Sequence, residues 1–417
     1  MNMDIRINNP KLPRVVRAIS SKSDVHRLLI CASLAKGESV LHCSDKNEDI
    51  RATVRVLREM GAGIEEIGDF YKVTPIAELP DREVTLDCGE SGSTLRFLLP
   101  VAAALGLHAR FTGHGRLLSR PMEPLLACLR AHGAKITAGD DAILVSGVLT
   151  PGEYEIAGNI SSQYISGLLF ALPLLQGKSV IRCSTKLESA PYVEMTRASL
   201  SRFGVTVEEK ENDFTILSGY GQSPGKAEAQ GDWSNAAFWL AGGAIGNDPV
   251  TVTGLDDNAP QGDRKICEIL RDFGAKVEIN GDAVTVSPAS LHGIEIDAGD
   301  IPDLVPVICA LAIRAQGTTH IYNAQRLRLK ESDRIAALHS MMHSLGADAE
   351  ITPDGLLICG GKPLPGGLVH GANDHRIVMS AAICALACTG EVLIRGAQAI
   401  NKSYPDFFSV YFGESKR

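Results

Sequence analysis

No apolar run in this sequence reaches the roughly 18 residues that a membrane-spanning helix needs, so no bilayer partner is expected. Positive charge is not in excess either. The 41 basic residues are outnumbered by 49 acidic ones, and the net charge is −8. That balance, with no basic tract interleaved with aromatics, argues against nucleic acid. The ten cysteines contain no Cys-x-x-Cys pair, so neither a zinc site nor a disulfide framework is expected. Several sit in apolar stretches, as Cys309, Cys384 and Cys388 do, which suits a reducing cytoplasm. The opening Met-Asn-Met-Asp-Ile-Arg has no apolar signal core.

What the chain has is repetition. Its 417 residues, 45% hydrophobic and 22% charged, are enough for two or three globular domains. Apolar helical runs end at Gly37, Gly106, Gly177, Gly246, Gly317 and Gly390, spaced by 69, 71, 69, 71 and 73 on subtraction. Amphipathic runs end at Gly61, Gly133, Gly204, Gly274, Gly346 and Gly413, spaced by 72, 71, 70, 72 and 67. Glycine just past a helix is the usual stop signal. Between the two runs lies a strand such as "KSVIRC", and after the second a hairpin pattern such as "AKVEINGDAVTVSP". The sixth copy has no hairpin. Two strand-like N-terminal pieces, "DIRIN" and "RVVRAI", are expected to complete it. The N-terminus then packs with the C-terminal half, giving three repeats per domain. The domains expected are 1–20 with 231–417, and 21–230.

The apolar runs, such as "LVPVICALAI", are apolar all round and must be buried. Their starts are polar: "SSKSDVHR", "GESGSTLR", "NISSQY", "GDWSNAA", "GDIPDL", "NDHRIV". Capping accounts for a Ser or Asp at each start. It does not account for Lys22, Arg27, Arg96 or Arg376, because a cation at a helix N-terminus opposes the macrodipole. An anion bound between the cations and the helix end removes the conflict. The segment "RLRLKESDRIAAL", from Arg326 to Leu338, reads as the start of a helix and is equally dense in charge.

In this order and spacing the motifs resemble the 5-enolpyruvylshikimate-3-phosphate synthase family, from "SKSDVHR" at Ser21 to "KSYPDFF" at Lys402. The resemblance implies an α/β fold of two domains with three βαβαββ units each and an active site in the cleft between them. It implies transfer of the enolpyruvyl group of phosphoenolpyruvate to the 5-hydroxyl of shikimate 3-phosphate, with no metal or organic cofactor, by a cytoplasmic monomer. Carried over, Lys22, Ser23, Arg27, Ser161, Ser162, Gln163, Ser189, Asp303 and Lys330 are implied as ligands of shikimate 3-phosphate. Lys22, Gly92, Arg120, Gln163, Arg334, Arg376 and Lys402 are implied as ligands of phosphoenolpyruvate. Asp303, Glu331 and Lys22 are implied as the proton-transfer groups, with Asp303 at the 5-hydroxyl. The division between Glu331 and Lys22 stays open.

Simpler readings exist for each residue. Lys22, Arg27 and Lys402 suit a solvated surface. Ser161 and Ser162 suit an N-cap, and Asp303 a helix-start acid. Glu331 and Arg334, three apart, suit an intrahelical ion pair. It is their joint occurrence that favours the site. Ser20, Glu90 and Arg326 depart from the family's usual glycine and asparagines, and Arg326 is left out as a ligand. Glu90 is expected to pair with Arg96 or to point away. Two related families are alternatives. The UDP-N-acetylglucosamine enolpyruvyl transferases carry a cysteine shortly before the Arg-Pro of the loop that reads "GHGRLLSRPM" here, with none. An RNA 3′-phosphate cyclase-like protein sits poorly with the acidic charge.

Overall fold

The computed structural model describes residues 3–414. The chain forms two compact units, Lys22–Ala229 and Met1–Ser21 with Gln230–Arg417. In each unit three apolar helices form the centre. In the first they are α1 (Lys22–Leu34), α2 (Gly92–Leu105) and α3 (Ser162–Ala171). In the second they are α4 (Trp233–Ile245), α5 (Val305–Arg314) and α6 (His375–Cys384). Nearly every residue of these helices is buried, α5 from Val305 to Ile313 without interruption. That is where helices with no polar face must go.

One sheet pattern recurs. A short strand runs parallel to the strand that follows the apolar helix, and that strand pairs antiparallel with the second arm of the hairpin. Val84–Asp87, Ala109–Thr112, Ile143–Gly147 and Ala134–Ala138 form one such sheet, in that order. Two more occur in the Lys22–Ala229 unit and two in its companion. The sixth sheet has three strands: Gly367–His370, Val392–Arg395 and, antiparallel, Asp4–Ile7. Asp4–Ile7 thus replaces the returning hairpin arm, as expected of "DIRIN".

The second N-terminal piece behaves otherwise. Val15–Arg17 pairs parallel with Val250–Thr253, so it opens the fourth repeat instead of completing the sixth. Its counterpart Lys226–Glu228 pairs with Ser39–His42 of the first repeat. Each of these short strands is left in one unit while the apolar helix that follows it belongs to the other. Where the chain passes twice, Ser20 and Gly231 bridge antiparallel. Gly231 is held against the Gly254 carbonyl so closely that a Cβ would lie 2.0 Å from its oxygen.

All six glycines after the amphipathic helices take positive φ, between 71° and 109°. The series after the apolar helices is less uniform. Gly246 follows α4 in extended backbone, with φ −73°, and Gly390 is not among the positive-φ glycines.

Candidate functional site

In the Lys22–Ala229 unit the polar helix starts are knitted together by side chains. Lys22 opens α1, and its Nζ lies 2.7 Å from Asp49 Oδ2 on the next helix. Arg27, one turn on, is only 2% exposed. Its guanidinium donates to the carbonyls of Ser23 and Tyr192 and, at 2.9 Å, to Thr196 Oγ1. It also stands 5.1 Å from the Phe97 ring centroid. Burial pulls its pKa down to about 10, against the raising effect of Asp24, and it remains a cation at neutral pH.

Gln163, in the first turn of α3, accepts from Arg96 at 2.8 Å and donates to Ser93 Oγ at 3.0 Å. The Ser161 hydroxyl accepts from the Gln163 amide, so it is a cap as well as a candidate ligand. Arg96 also donates to the Pro121 carbonyl at 3.2 Å, which ties the loop of Arg120 to the same corner. This corner needs Gly167, because a Cβ there would stand 2.2 Å from the Arg96 carbonyl oxygen. Gly92 faces Arg120, with its missing Cβ 2.6 Å from Nη1. Ser189 is buried and takes φ 56° at the start of the helix Ala190–Arg202, strained backbone for a residue with a side chain. Ser23 and Ser162 lie in the first turns of α1 and α3. Glu90 turns towards Gly115, whose missing Cβ would stand 2.6 Å from Glu90 Oε2.

In the companion unit the charges converge more tightly. The charged segment does not begin as an α-helix. Gln325–Leu329 is a 3-10 turn, Lys330 is extended, and the α-helix starts at Arg334 behind the Asp333 cap. Glu331 therefore lies before the helix. Its Oε2 still meets Arg334 Nη2 at 2.7 Å, but as one of three carboxylates around that guanidinium. Asp303 Oδ1 is 2.9 Å from Nη1, and Asp374 Oδ2 is 2.8 Å from Nε. Arg334 is 1% exposed and Asp374 fully buried, so this is not a solvated pair. Burial opposes the Arg334 charge, but Asp374, Glu331 and Asp303 outweigh it and hold its pKa above the ordinary value.

Asp303 is also 3.4 Å from Lys330 Nζ and 3.3 Å from Arg376 Nη2. Lys330 has its pKa lowered, by burial first and then by Arg334 and Arg326, against the pull of Asp303 and Glu331. Arg376 also donates to the Asp303 carbonyl at 2.9 Å and to Ser234 Oγ at 2.6 Å. Lys402 is 4% exposed and donates to the Asn373 carbonyl at 2.6 Å. That carbonyl is presented by two successive left-handed residues, Ala372 and Asn373. Arg326 donates to the Gly299 carbonyl at 2.5 Å.

The structure thus gathers Asp303, Lys330, Glu331, Arg334 and Arg376 around shared atoms, with Lys402 joined to the turn before α6. Sequence reading passed over Asp49, Asp374, Ser234 and Asp263. Each acid sits at a helix or turn start, where it looks like a cap. Asp374 is one: its Oδ1 accepts the Arg376 amide at 3.0 Å.

The family model of EPSP synthase (3-phosphoshikimate 1-carboxyvinyltransferase) matches residues 8–411. The chain belongs to the EPSP synthase family. A 3-phosphoshikimate 1-carboxyvinyltransferase of Clostridium kluyveri is 41% identical over 407 residues, covering 97% of this chain and 95% of the relative. Its namesake in Methanocorpusculum labreanum is 38% identical over 410 residues, covering 97% of both. Among solved structures, an EPSP synthase of Acinetobacter baumannii matches with TM-score 0.80 and 26% identity over 98% of this chain and 96% of that one. The enolpyruvyl transferase NikO of Streptomyces tendae, at 19% identity and TM-score 0.75 over 98% and 96%, shares the fold. The two-domain enolpyruvyl transferase fold and the shikimate-pathway reaction of EPSP synthases therefore hold for this chain. Its substrates are small molecules. The 5-hydroxyl oxygen gives up its proton and bonds to C2 of phosphoenolpyruvate while the methylene carbon gains a proton. That carbon then loses a proton, the C–O bond to phosphate breaks, and the enol ether forms. Among the described residues no helix is long and apolar enough to cross a membrane.

Proposed function

We propose that the two polar clusters serve this one reaction. Lys22, Ser23, Arg27, Ser161, Ser162, Gln163 and Ser189, with Asp303 and Lys330, hold shikimate 3-phosphate. Lys22, Gly92, Arg120, Gln163, Arg334, Arg376 and Lys402 hold phosphoenolpyruvate. Asp303 takes the 5-hydroxyl proton, and Glu331 and Lys22 serve the methylene carbon and the departing phosphate. The observation that carries this reading is Asp303 within 3.4 Å of Lys330, Arg334 and Arg376 together. Three cations keep a carboxylate ionised, the state a base must start from. The protein works in the cytoplasm as a monomer, a setting that its ten free cysteines suit.

Gly92 gives the test. An alanine Cβ 2.6 Å from Arg120 Nη1 forces that guanidinium aside by roughly 1 Å to reach ordinary contact. Displacement on that scale can cost roughly a hundredfold in a positioned reaction. Gly92→Ala is expected to raise KM for phosphoenolpyruvate at least tenfold, on the order of 1.4 kcal/mol, and to weaken glyphosate, the family's inhibitor, as well. Shikimate 3-phosphate should bind the variant as before in direct titration. Equal loss for both substrates, or no loss, would remove Gly92 and Arg120 from the phosphoenolpyruvate pocket.

A further inference from the structure

We propose that His26 and Thr53 are positioning residues for phosphoenolpyruvate, holding the first turn of α2 through a buried chain of hydrogen bonds. The proposal rests on the roles given above to Gly92, Arg120 and Gln163.

The chain is His26, Thr53, Thr94 and Ser91, all in the Lys22–Ala229 unit and none more than 1% exposed. His26 follows Lys22 by one turn of α1, and Thr53 follows Asp49 by one turn of the helix Glu48–Glu59, so each pair shares a face. The two helices are therefore tied twice. Lys22 meets Asp49, and His26 Nδ1 lies 2.7 Å from Thr53 Oγ1. Thr53 Oγ1 is in turn 2.7 Å from Thr94 Oγ1. The Thr94 hydroxyl donates to Ser91 Oγ at 2.8 Å, and the Thr94 amide donates to the same oxygen at 3.2 Å. Ser91 is the N-cap of α2.

These bonds run in one direction, because a hydroxyl has a single proton to give. That of Thr94 goes to Ser91, so Thr94 accepts from Thr53, and Thr53 accepts from His26 Nδ1. Burial, then Lys22 and Arg27, hold the His26 pKa well below its ordinary value, so the ring is neutral and its one proton sits on Nδ1. Nε2 has no hydrogen-bond partner among the described residues. An apolar side chain would fill the space without that loss, so the Nδ1 bond is what the ring contributes.

The far end of the chain shows its use. The first turn of α2 carries Gly92, Ser93 and Arg96. Gly92 has no slack against Arg120, since a Cβ would already stand 2.6 Å from Nη1. Ser93 and Arg96 are both bonded to the Gln163 side chain. A shift of this turn therefore reaches Arg120 and Gln163 together, two residues assigned to phosphoenolpyruvate. Arg27, assigned to shikimate 3-phosphate alone, is seated elsewhere, on Thr196 and the Tyr192 carbonyl.

The test uses the full-length protein with two changes at one position. Thr53→Val keeps the branched shape and loses the hydroxyl, while Thr53→Ser keeps the hydroxyl and loses a methyl. In Thr53→Val, KM for phosphoenolpyruvate should rise at least about threefold, the scale of one hydrogen bond of ordinary net worth. Shikimate 3-phosphate should bind it within about twofold of wild type in direct titration, and Thr53→Ser should stay within about twofold for both substrates, below the effect of a lost hydrogen bond. A role in packing alone predicts the reverse order, with serine the worse of the two in thermal stability and KM unmoved in both. A smaller rise in Thr53→Val, or equal weakening of both substrates, overturns the proposal. If Thr53→Val does not fold, Thr94→Val breaks the next link and leaves the amide bond to Ser91 in place. The same threefold rise there upholds the proposal, and a smaller one overturns it. Gly92→Ala is assayed beside them. A selective loss in Thr53→Val with none in Gly92→Ala retires the Gly92 assignment and keeps the chain of hydrogen bonds, and the opposite result retires the chain and keeps Gly92.

Discussion

Replacing Glu331 by glutamine is expected to lower turnover by roughly 10²–10⁴-fold, the range lost with an acid–base group. Shikimate 3-phosphate should bind nearly as well as before, since Lys22, Arg27 and Ser161 to Gln163 are untouched. The alternative is that Glu331 only steadies Arg334. The geometry bears on the choice. Arg334 keeps Asp303 at 2.9 Å and Asp374 at 2.8 Å when the contact to Glu331 weakens. Glutamine also retains an oxygen to accept from Nη2. The guanidinium should therefore stay seated, and what disappears is the titratable proton. Turnover measured beside direct ligand titration separates the two roles, because loss confined to turnover marks an interaction of the transition state. A variant that keeps more than about a third of wild-type turnover, well outside the acid–base range, would make Glu331 a structural charge.

Asp374→Ala should be the most destabilising of these changes, by about 3–5 kcal/mol, the usual consequence of leaving a buried charge uncompensated. Asp374 is fully buried and serves three partners. Arg334 Nε meets it at 2.8 Å, the Ser332 hydroxyl at 3.0 Å and the Arg376 amide at 3.0 Å. Asparagine keeps the cap but not the charge, so Asp374→Asn should fall between alanine and wild type. Urea unfolding at a common m-value measures both. If Asp374→Ala loses less than about 1 kcal/mol, the level of an exposed pair, Arg334 does not depend on this carboxylate.

Much of the fold was legible because its signals are local. The apolar helices need no partner to be recognised, and a left-handed glycine such as Gly274 marks a helix end wherever the helix packs. The short parallel strands were not legible. Lys226–Glu228 and Glu295–Asp297 have three residues each, too few for a pattern, and their partners are remote. For the same reason "RVVRAI" was given to the wrong sheet. In the site, Arg376 and Lys22 stood out because a cation at a helix start conflicts with the dipole. Asp374 and Asp49 agree with it, so nothing at a helix start marked them as the partners of Arg334 and Lys22. The boundaries of the charged segment were misread because its helix waits for the Asp333 cap. Which residue meets which substrate came from the family resemblance and not from spacing.

The pairing of Ile7 with Val392 has a consequence for synthesis on the ribosome. The two residues are 385 apart by subtraction, so at about 5–20 residues per second the first strand waits roughly 20–80 s for its partner to be made. Over the same interval the segment Lys22–Ala229 has emerged with all the strands of its own three sheets, Lys226–Glu228 included. The nascent chain can therefore finish its middle before its beginning. Meanwhile Asp4–Ile7 is a strand with unsatisfied edges, the kind of segment that pairs with the wrong neighbour. It carries Asp4 and Arg6 in alternation with Ile5 and Ile7, and charges on such a strand discourage that mistake until the last sheet arrives.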